Sequence, residues 1–343
     1  MNVRTEDAGR LGRVTILDVA SAAGVSKSTV SRILDERLPR SDNDTARRVR
    51  KIAEELGYVR DISAASLRRG STMTVGIIVP RLTDTVMAML YESLAKACSR
   101  SGRFAIVATT DDKPRADRLA AESLLNRGVD GLVLSTARLD DDFADDLIAR
   151  GVPHVFALRT AGASLCSVGD DRLGGYLATR HLIDLGHRHI GVIAGPSYAS
   201  SAVGRVEGYR QAMHEAGIPV FPDAIVPSTF GLDAGAEAAE YLMRLDNRPT
   251  AIFAVNDNTA IGALSGLSRL GISVPKEVSV VGYNDIPIVN HLPTPLTTVR
   301  VPFDQIASHA LDLLLSETVS AEDRIRISAP TLIPRKSTAK PAL

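Results

Sequence analysis

Cysteine is scarce: Cys98 and Cys166 are the only two in 343 residues. That count excludes a disulfide-stapled scaffold and a four-cysteine zinc site. Neither lies in a CxxC pair, so no redox or nucleophilic thiol is expected. No apolar run approaches the roughly 18 residues of a membrane span. Met1 to Arg13 is polar and lacks the apolar stretch of a secretory signal. A cytoplasmic chain with no membrane partner is therefore expected. Phosphate cradles are missing too, since there is no GxGxxG and no GxxxxGK followed by Ser or Thr. The GxSxG nucleophile turn is also lacking. A nicotinamide enzyme or a P-loop NTPase lacks its binding loop, and no cofactor is expected. Net charge is lacking as well, because 40 basic residues balance 40 acidic ones.

What is present is the composition of a globular protein, 45 % hydrophobic and 23 % charged, at a length that fits two to three domains. The zero net charge hides an asymmetry. Residues 1–72 hold 14 Lys and Arg against 10 Asp and Glu, a net of +4, and the rest of the chain is −4. A basic head on an acidic body is the electrostatic footprint of a nucleic-acid binder.

The chain changes character along its length. Residues 1–12 read as a disordered tail. Thr15 then stands as an N-cap with Asp18 three residues on, the pattern of a capping box opening a helix over Ile16 to Ala23. Gly24 breaks it, and Ser26 caps a second helix over Lys27 to Leu34. After a charged loop, a third helix is expected from about Asp44 to Leu56, ended by Gly57. Val19, Ala20, Val25, Val30, Ile33, Val49, Ile52 and Leu56 recur at helical spacing and are expected to fill a small core. From Val75 the pattern alternates strand and helix. Short β-branched strands are expected at Val75–Val79, Ala105–Thr109, Gly131–Ser135, His154–Ala157, Ile190–Ala194, Ala251–Val255 and Val278–Gly282. Buried parallel strands with helical crossovers imply a doubly wound α/β body. About 270 residues is large for one such sheet, so two similar lobes are expected, with a ligand between them at the carboxyl ends of the strands.

Thr15 to Arg32 reads as a helix-turn-helix. Ala20 is small where the second helix crosses the first, and Gly24 permits the tight turn. Lys27, Ser28, Ser31 and Arg32 then fall on the outer face of the second helix, which enters the major groove by its N-terminal end. The exposed amides near Ser26 favour a phosphate.

These residues resemble the lac repressor (LacI/GalR) family of bacterial transcription regulators. The resemblance runs from Thr15-Ile16-Leu17-Asp18-Val19-Ala20 through Gly24-Val25-Ser26, Thr29-Val30-Ser31-Arg32 and Gly57-Tyr58. In the body it recurs at Arg127-Gly128-Val129-Asp130-Gly131, His181 to Ile190, Arg205-Val206-Glu207-Gly208-Tyr209, Val280 to Asp285 and Pro295 to Val299. It covers about residues 13–340. It implies a helix-turn-helix domain over 13–60, a hinge helix over 61–72 and a two-lobed effector-binding and dimerisation domain over 73–343. Lobe one is expected at about 73–185 and 303–330, and lobe two at about 186–300 and 331–343. The body is similar to periplasmic sugar-binding proteins.

By position, the resemblance implies that Lys27, Ser28 and Arg32 read bases, with Arg32 forked on a guanine edge. Thr15, Ser26, Thr29, Ser31 and Tyr58 are the implied phosphate contacts. Ala64 and Leu67 are the implied minor-groove hinge, Leu67 as the wedge between central base pairs. Where the family has Pro-Asn before the hinge, this chain has Arg60-Asp61. The implied partners are a pseudo-palindromic double-stranded operator, a second copy of the chain and a small-molecule effector, a sugar or sugar derivative. No leucine heptad follows the body, so a homodimer is expected.

The implied effector residues are Asp84, Val86 and Met87 from the first lobe, and Ser201, Arg205, Phe230, Asn256 and Asn284 from the second. Two departures bear on the ligand. Asp84-Thr85-Val86-Met87 replaces an aromatic-rich stretch, and Asn284 stands where the family often has Asp. His181, His187 and His189 resemble the family's Gly-His-Arg turn, and no metal is expected there. The alternative reading is a small-molecule binding protein or enzyme with a vestigial DNA-binding head.

Overall fold

The structure is a computed structural model and describes residues 14–35, 39–59 and 71–342. The chain divides into two compact units, Met1–Thr72 and Met73–Leu343. The tail expected at 1–12, and the hinge helix with Ala64 and Leu67, lie outside the described residues.

The head has three helices: α1 (Ile16–Ala23), α2 (Lys27–Ile33) and α3 (Asp44–Glu55). The capping box at α1 is formed, with the Thr15 N–H and hydroxyl both donating to the Asp18 carboxylate at 2.7 Å. Gly24 takes the left-handed conformation, φ +64°, that ends α1 and turns the chain into α2. Val19, Val30 and Val49 are fully buried, and Ala20, Ala23 and Ala53 complete the core. Leu56, expected in that core, is 39 % exposed. Helix α3 stops at Glu55 and Leu56 becomes its C-cap, so the side chain leaves the inward face that Ala46, Val49 and Ala53 occupy.

The body opens with β1 (Thr74–Val79), α4 (Thr85–Arg100), β2 (Phe104–Thr109), α5 (Pro114–Asn126), β3 (Gly131–Leu134), α6 (Phe143–Ala149), β4 (His154–Ala157) and β5 (Cys166–Gly169). It continues with α7 (Asp171–Asp184), β6 (Ile190–Ala194), α8 (Ser200–Glu215), β7 (Ile225–Pro227), α9 (Leu232–Met243) and β8 (Ala251–Ala254). Then follow α10 (Asp257–Arg269), β9 (Ser279–Asn284), β10 (Thr297–Arg300), α11 (Phe303–Leu315), β11 (Ile325–Ser328) and β12 (Thr331–Ile333).

Two six-stranded sheets result, ordered β11-β5-β4-β3-β1-β2 and β12-β10-β9-β8-β6-β7. Every pairing is parallel except β10 with β12. The second sheet repeats the winding of the first. In each, the strand order reverses around one strand, β1 or β6, and the loops leaving those strands open a crevice at the sheet's carboxyl edge. The chain passes between lobes three times, and Gly169 sits against both Ser328 and Val301 where the three passages run side by side.

The first passage falls earlier than 185. Helix α7 packs on α8, and a Cβ on Gly175 would lie 2.0 Å from the Arg205 carbonyl oxygen. Only glycine lets those two backbones approach so closely, and the pair belongs to the second sheet. Strands β5, β7, β10, β11 and β12 were not among the expected strands. The equally short β3, β4 and β8 are buried, mostly apolar runs, whereas β7, β10, β11 and β12 are not buried throughout and β5 carries Ser and Gly, so no continuous apolar run marks them.

Candidate nucleic-acid interface and effector cleft

In the head, fully buried Val30 orients α2 by turning one face to the core. Lys27, Ser28 and Arg32 are exposed on the other face, and Thr29 and Ser31 are half-buried at its flanks. The Ser26 hydroxyl accepts the Thr29 N–H at 3.2 Å and lies 2.8 Å from the Ser28 hydroxyl. The cap therefore fixes the start of α2 and sets its first exposed side chains. Tyr58 is half-buried and packs its ring on the head core. Thr15 is exposed, but Asp18 takes both of its donors, so its hydroxyl is not free to reach a phosphate while the capping box stands. Arg32 shares a surface groove with Arg40, Thr45 and Arg50. Arg40 and Arg50 were not among the expected contacts, and the only sequence signal for them is the arginine density around α3.

In the body, a cavity of about 260 Å³ lies between the lobes. All eight expected effector residues line it: Asp84, Val86, Met87, Ser201, Arg205, Phe230, Asn256 and Asn284. Their chemistry is mostly engaged internally. Arg205 is buried, with Nε on Asp171 Oδ1 at 2.8 Å and Nη1 on the Val255 carbonyl at 2.7 Å. Its guanidinium lies over the Tyr283 ring, 3.8 Å from the centroid. Asn256 caps α10, accepting the Thr259 N–H at 2.8 Å, and donates to the Phe230 carbonyl at 3.1 Å. It thereby holds the loop that presents the Phe230 ring. Asp84 caps α4 through the Val86 N–H at 3.0 Å and accepts the Asn258 amide from the other lobe at 3.2 Å. Burial pushes the Asp84 carboxyl above the ordinary range, opposed by those two donors. Asn284 sits at the end of β9 with φ +111°, a backbone conformation that costs most side chains dearly and Asn least.

Asp257 and Asp285 have structural roles beside the cleft. Asp257 accepts the Thr298 hydroxyl at 2.6 Å and the Ile286 N–H at 2.8 Å, and burial raises its pKa to about 7. Asp285 bridges Arg300 and Arg335 at 2.7 and 2.6 Å. His187 is likewise structural, bonded to Thr250, Ser279 and Ala339.

The sequence of residues 15–61 matches the model of the bacterial regulatory proteins, lacI family. Residues 179–338 match that of the periplasmic binding protein-like domain. The HTH-type transcriptional repressor PurR of Vibrio cholerae serotype O1 is 32 % identical over 317 residues, spanning 91 % of this chain and 94 % of that protein. The ribose operon repressor of Haemophilus influenzae is 32 % identical over 331 residues, spanning 94 % and 98 %. The crystal structure of the lac repressor dimer bound to operator and the anti-inducer ONPF superposes with a TM-score of 0.85 at 26 % identity, over 96 % of this chain and 100 % of that one. The chain belongs to the LacI family.

This LacI-family chain is a transcriptional regulator, and the reading of it as an enzyme falls. Among the described residues, no helix is long and apolar enough to cross a membrane. Sequence reasoning missed half of the cavity wall of this regulator. Arg81, Asp112, Leu158, Arg159, Tyr198 and Thr229 also line it. Arg159 is 4 % exposed and grips Asp112 through three N–H···O contacts of 2.9 to 3.1 Å. Asp112 and Leu158 both have positive φ, 60° and 68°, and so do Asp111 and Asn284 on the same wall. Strained backbone thus gathers where strands end at the cleft. The sequence signal was faint: each of these residues follows a strand by one to four positions.

Proposed function

We propose that this regulator represses transcription as a cytoplasmic homodimer bound to a pseudo-palindromic operator, under the control of a neutral sugar held between its lobes. In the DNA half, Lys27, Ser28 and Arg32 read bases, while Ser26, Thr29, Ser31 and Tyr58 touch phosphates. Leu67, with Ala64 one turn earlier, enters the central minor groove. The exposed polar face of α2, opposite buried Val30, supports this reading. Thr15 acts by holding Asp18 rather than by a phosphate contact. Edge strand β2 leaves Phe104 71 % exposed, which suits a surface that pairs with a second copy.

The convergence of all eight effector candidates on one cavity carries the effector half. The charge pairing narrows the ligand. Arg159 is matched by Asp112 and Arg205 by Asp171. A ligand carboxylate or phosphate would have to break such a pair, and disrupting a buried pair costs on the order of 3–5 kcal/mol. A neutral polyol instead bonds to the free edges of these groups and of Asn284, with the Phe230 face as an apolar wall.

Selection from a random duplex library with full-length protein, followed by a salt titration, tests the DNA half. A palindrome should emerge, with affinity falling steeply in salt, since each neutralised phosphate adds about 0.9 to the log–log slope. Leu67→Ser should weaken that operator while leaving the dimer intact by sedimentation. Thermal shifts with D-ribose and ribose 5-phosphate, and with D-glucose and gluconate, test the effector half. Stabilisation only by the charged member of a pair would refute the neutral-sugar reading.

A further inference from the structure

Tyr198 stands in the loop between β6 and α8, in the second lobe, yet its contacts run into the first. Its ring lies against the Arg138 guanidinium, with Cζ 3.5 Å from the ring centroid. Its hydroxyl donates to Asp112 Oδ2 at 3.0 Å. Its carbonyl accepts the Leu139 N–H at 2.9 Å. Two residues on, the Ser200 hydroxyl oxygen accepts the Thr160 N–H at 2.8 Å. The receiving groups are themselves fixed. Asp140 holds Arg138 through Nε at 2.8 Å and Nη2 at 2.9 Å, and Arg159 holds Asp112. A planar ring clamped on its face, at its hydroxyl and through its own backbone has little freedom left to leave alone.

We propose that Tyr198 is a built-in latch that holds the two lobes together through the protein's own side chains. Lobe closure is then partly intrinsic to this chain, and a ligand supplies only the remainder of the bias between open and closed arrangements. Asp112 and Arg159 form the receiving end of the latch and also face the cavity, so a ligand that touches them acts on the latch directly. That last link rests on the cavity being the effector site, whereas the latch itself does not.

Hydrogen-exchange mass spectrometry on the full-length protein, with neither DNA nor sugar added, tests the latch. The Leu139 and Thr160 amides should be protected in the unaltered chain, although both lie in loops. Tyr198→Ala should speed their exchange by about tenfold or more while amides of β1 and β8 keep their rates, the signature of local rather than global opening. Tyr198→Phe keeps the ring and the backbone bond but loses the hydroxyl, and should raise the same rates less, by about threefold. Should the alanine variant unfold, the strand amides will report it and the phenylalanine variant decides. Unprotected Leu139 and Thr160 amides in the unaltered chain, or rates unmoved by both substitutions, would overturn the latch. No effector enters the tube, so that result leaves the effector reading standing, and a failed sugar screen leaves the latch standing.

Discussion

Lys27, Ser28 and Arg32 in the head lie exposed on one side of a seven-residue helix, whereas Arg159 and Arg205 in the cleft are only 4 % and 5 % exposed. Among the described residues no ion pair holds Lys27 or Arg32, and the Ser28 hydroxyl meets that of the capping Ser26 at 2.8 Å. The cleft arginines are each tied to a carboxylate and a carbonyl, and they contribute a rigid wall more than a free hand. A surface that must slide over and discriminate among DNA sequences gains from side chains that can adjust. A cavity that must tell one small ligand from another gains from groups that cannot.

The sharpest way to break this contrast is to remove one arginine from each region. Arg205→Ala leaves Asp171 buried without its cation. It should lower the unfolding free energy by about 3–5 kcal/mol in a urea titration. A loss under about 1 kcal/mol would show that the cleft pair is no more than a surface bridge.

A buried carboxylate without a cation tests the body from the other side. Asp117, on α5, is 1 % exposed and lies beside the Thr110 and Thr136 hydroxyls, and burial raises its pKa from the ordinary 3.8 to about 6. The fold therefore holds this group's proton more tightly than the unfolded chain does. Its contribution is intact below pH 3.8 and is lost as pH rises through about 6. Asp117→Asn should thus stabilise the protein by roughly 2–3 kcal/mol at pH 8, and the gain should vanish towards pH 4. A gain of equal size at both pH values would place the effect outside the titration of Asp117.

Arg32→Ala should leave stability within about 0.5 kcal/mol of the unaltered chain. It should weaken the selected operator by about 1–3 kcal/mol and relax choice at one base. Uniform weakening across all operators would make Arg32 a phosphate contact instead. The smallest effect is expected at the cap of the reading helix. Ser26→Ala should cost about 1 kcal/mol of head stability, read as a lower melting temperature.

Legibility followed the range of the forces involved. The head helices were readable because caps, turn glycines and spacing are local. Thr15, Gly24 and Ser26 each act within three or four residues. Leu56 was misplaced because the helix ends one residue before it and the C-cap side chain leaves the core face, and no local signal marks that end. The eight cleft residues were legible through the family resemblance. Arg159, Asp112 and Tyr198 were not, because they come from three separate loops and gain their meaning only from one another.

The sequence by itself determined the helix-turn-helix and the alternation of strands and helices. Those depend on propensity and periodicity along the chain. Only the tertiary structure decided that α7 belongs to the second lobe, that Arg205 is a buried ion pair, and that one tyrosine spans the cleft. Each rests on a contact between residues thirty or more positions apart, and no pattern within one element can encode which distant partner it meets.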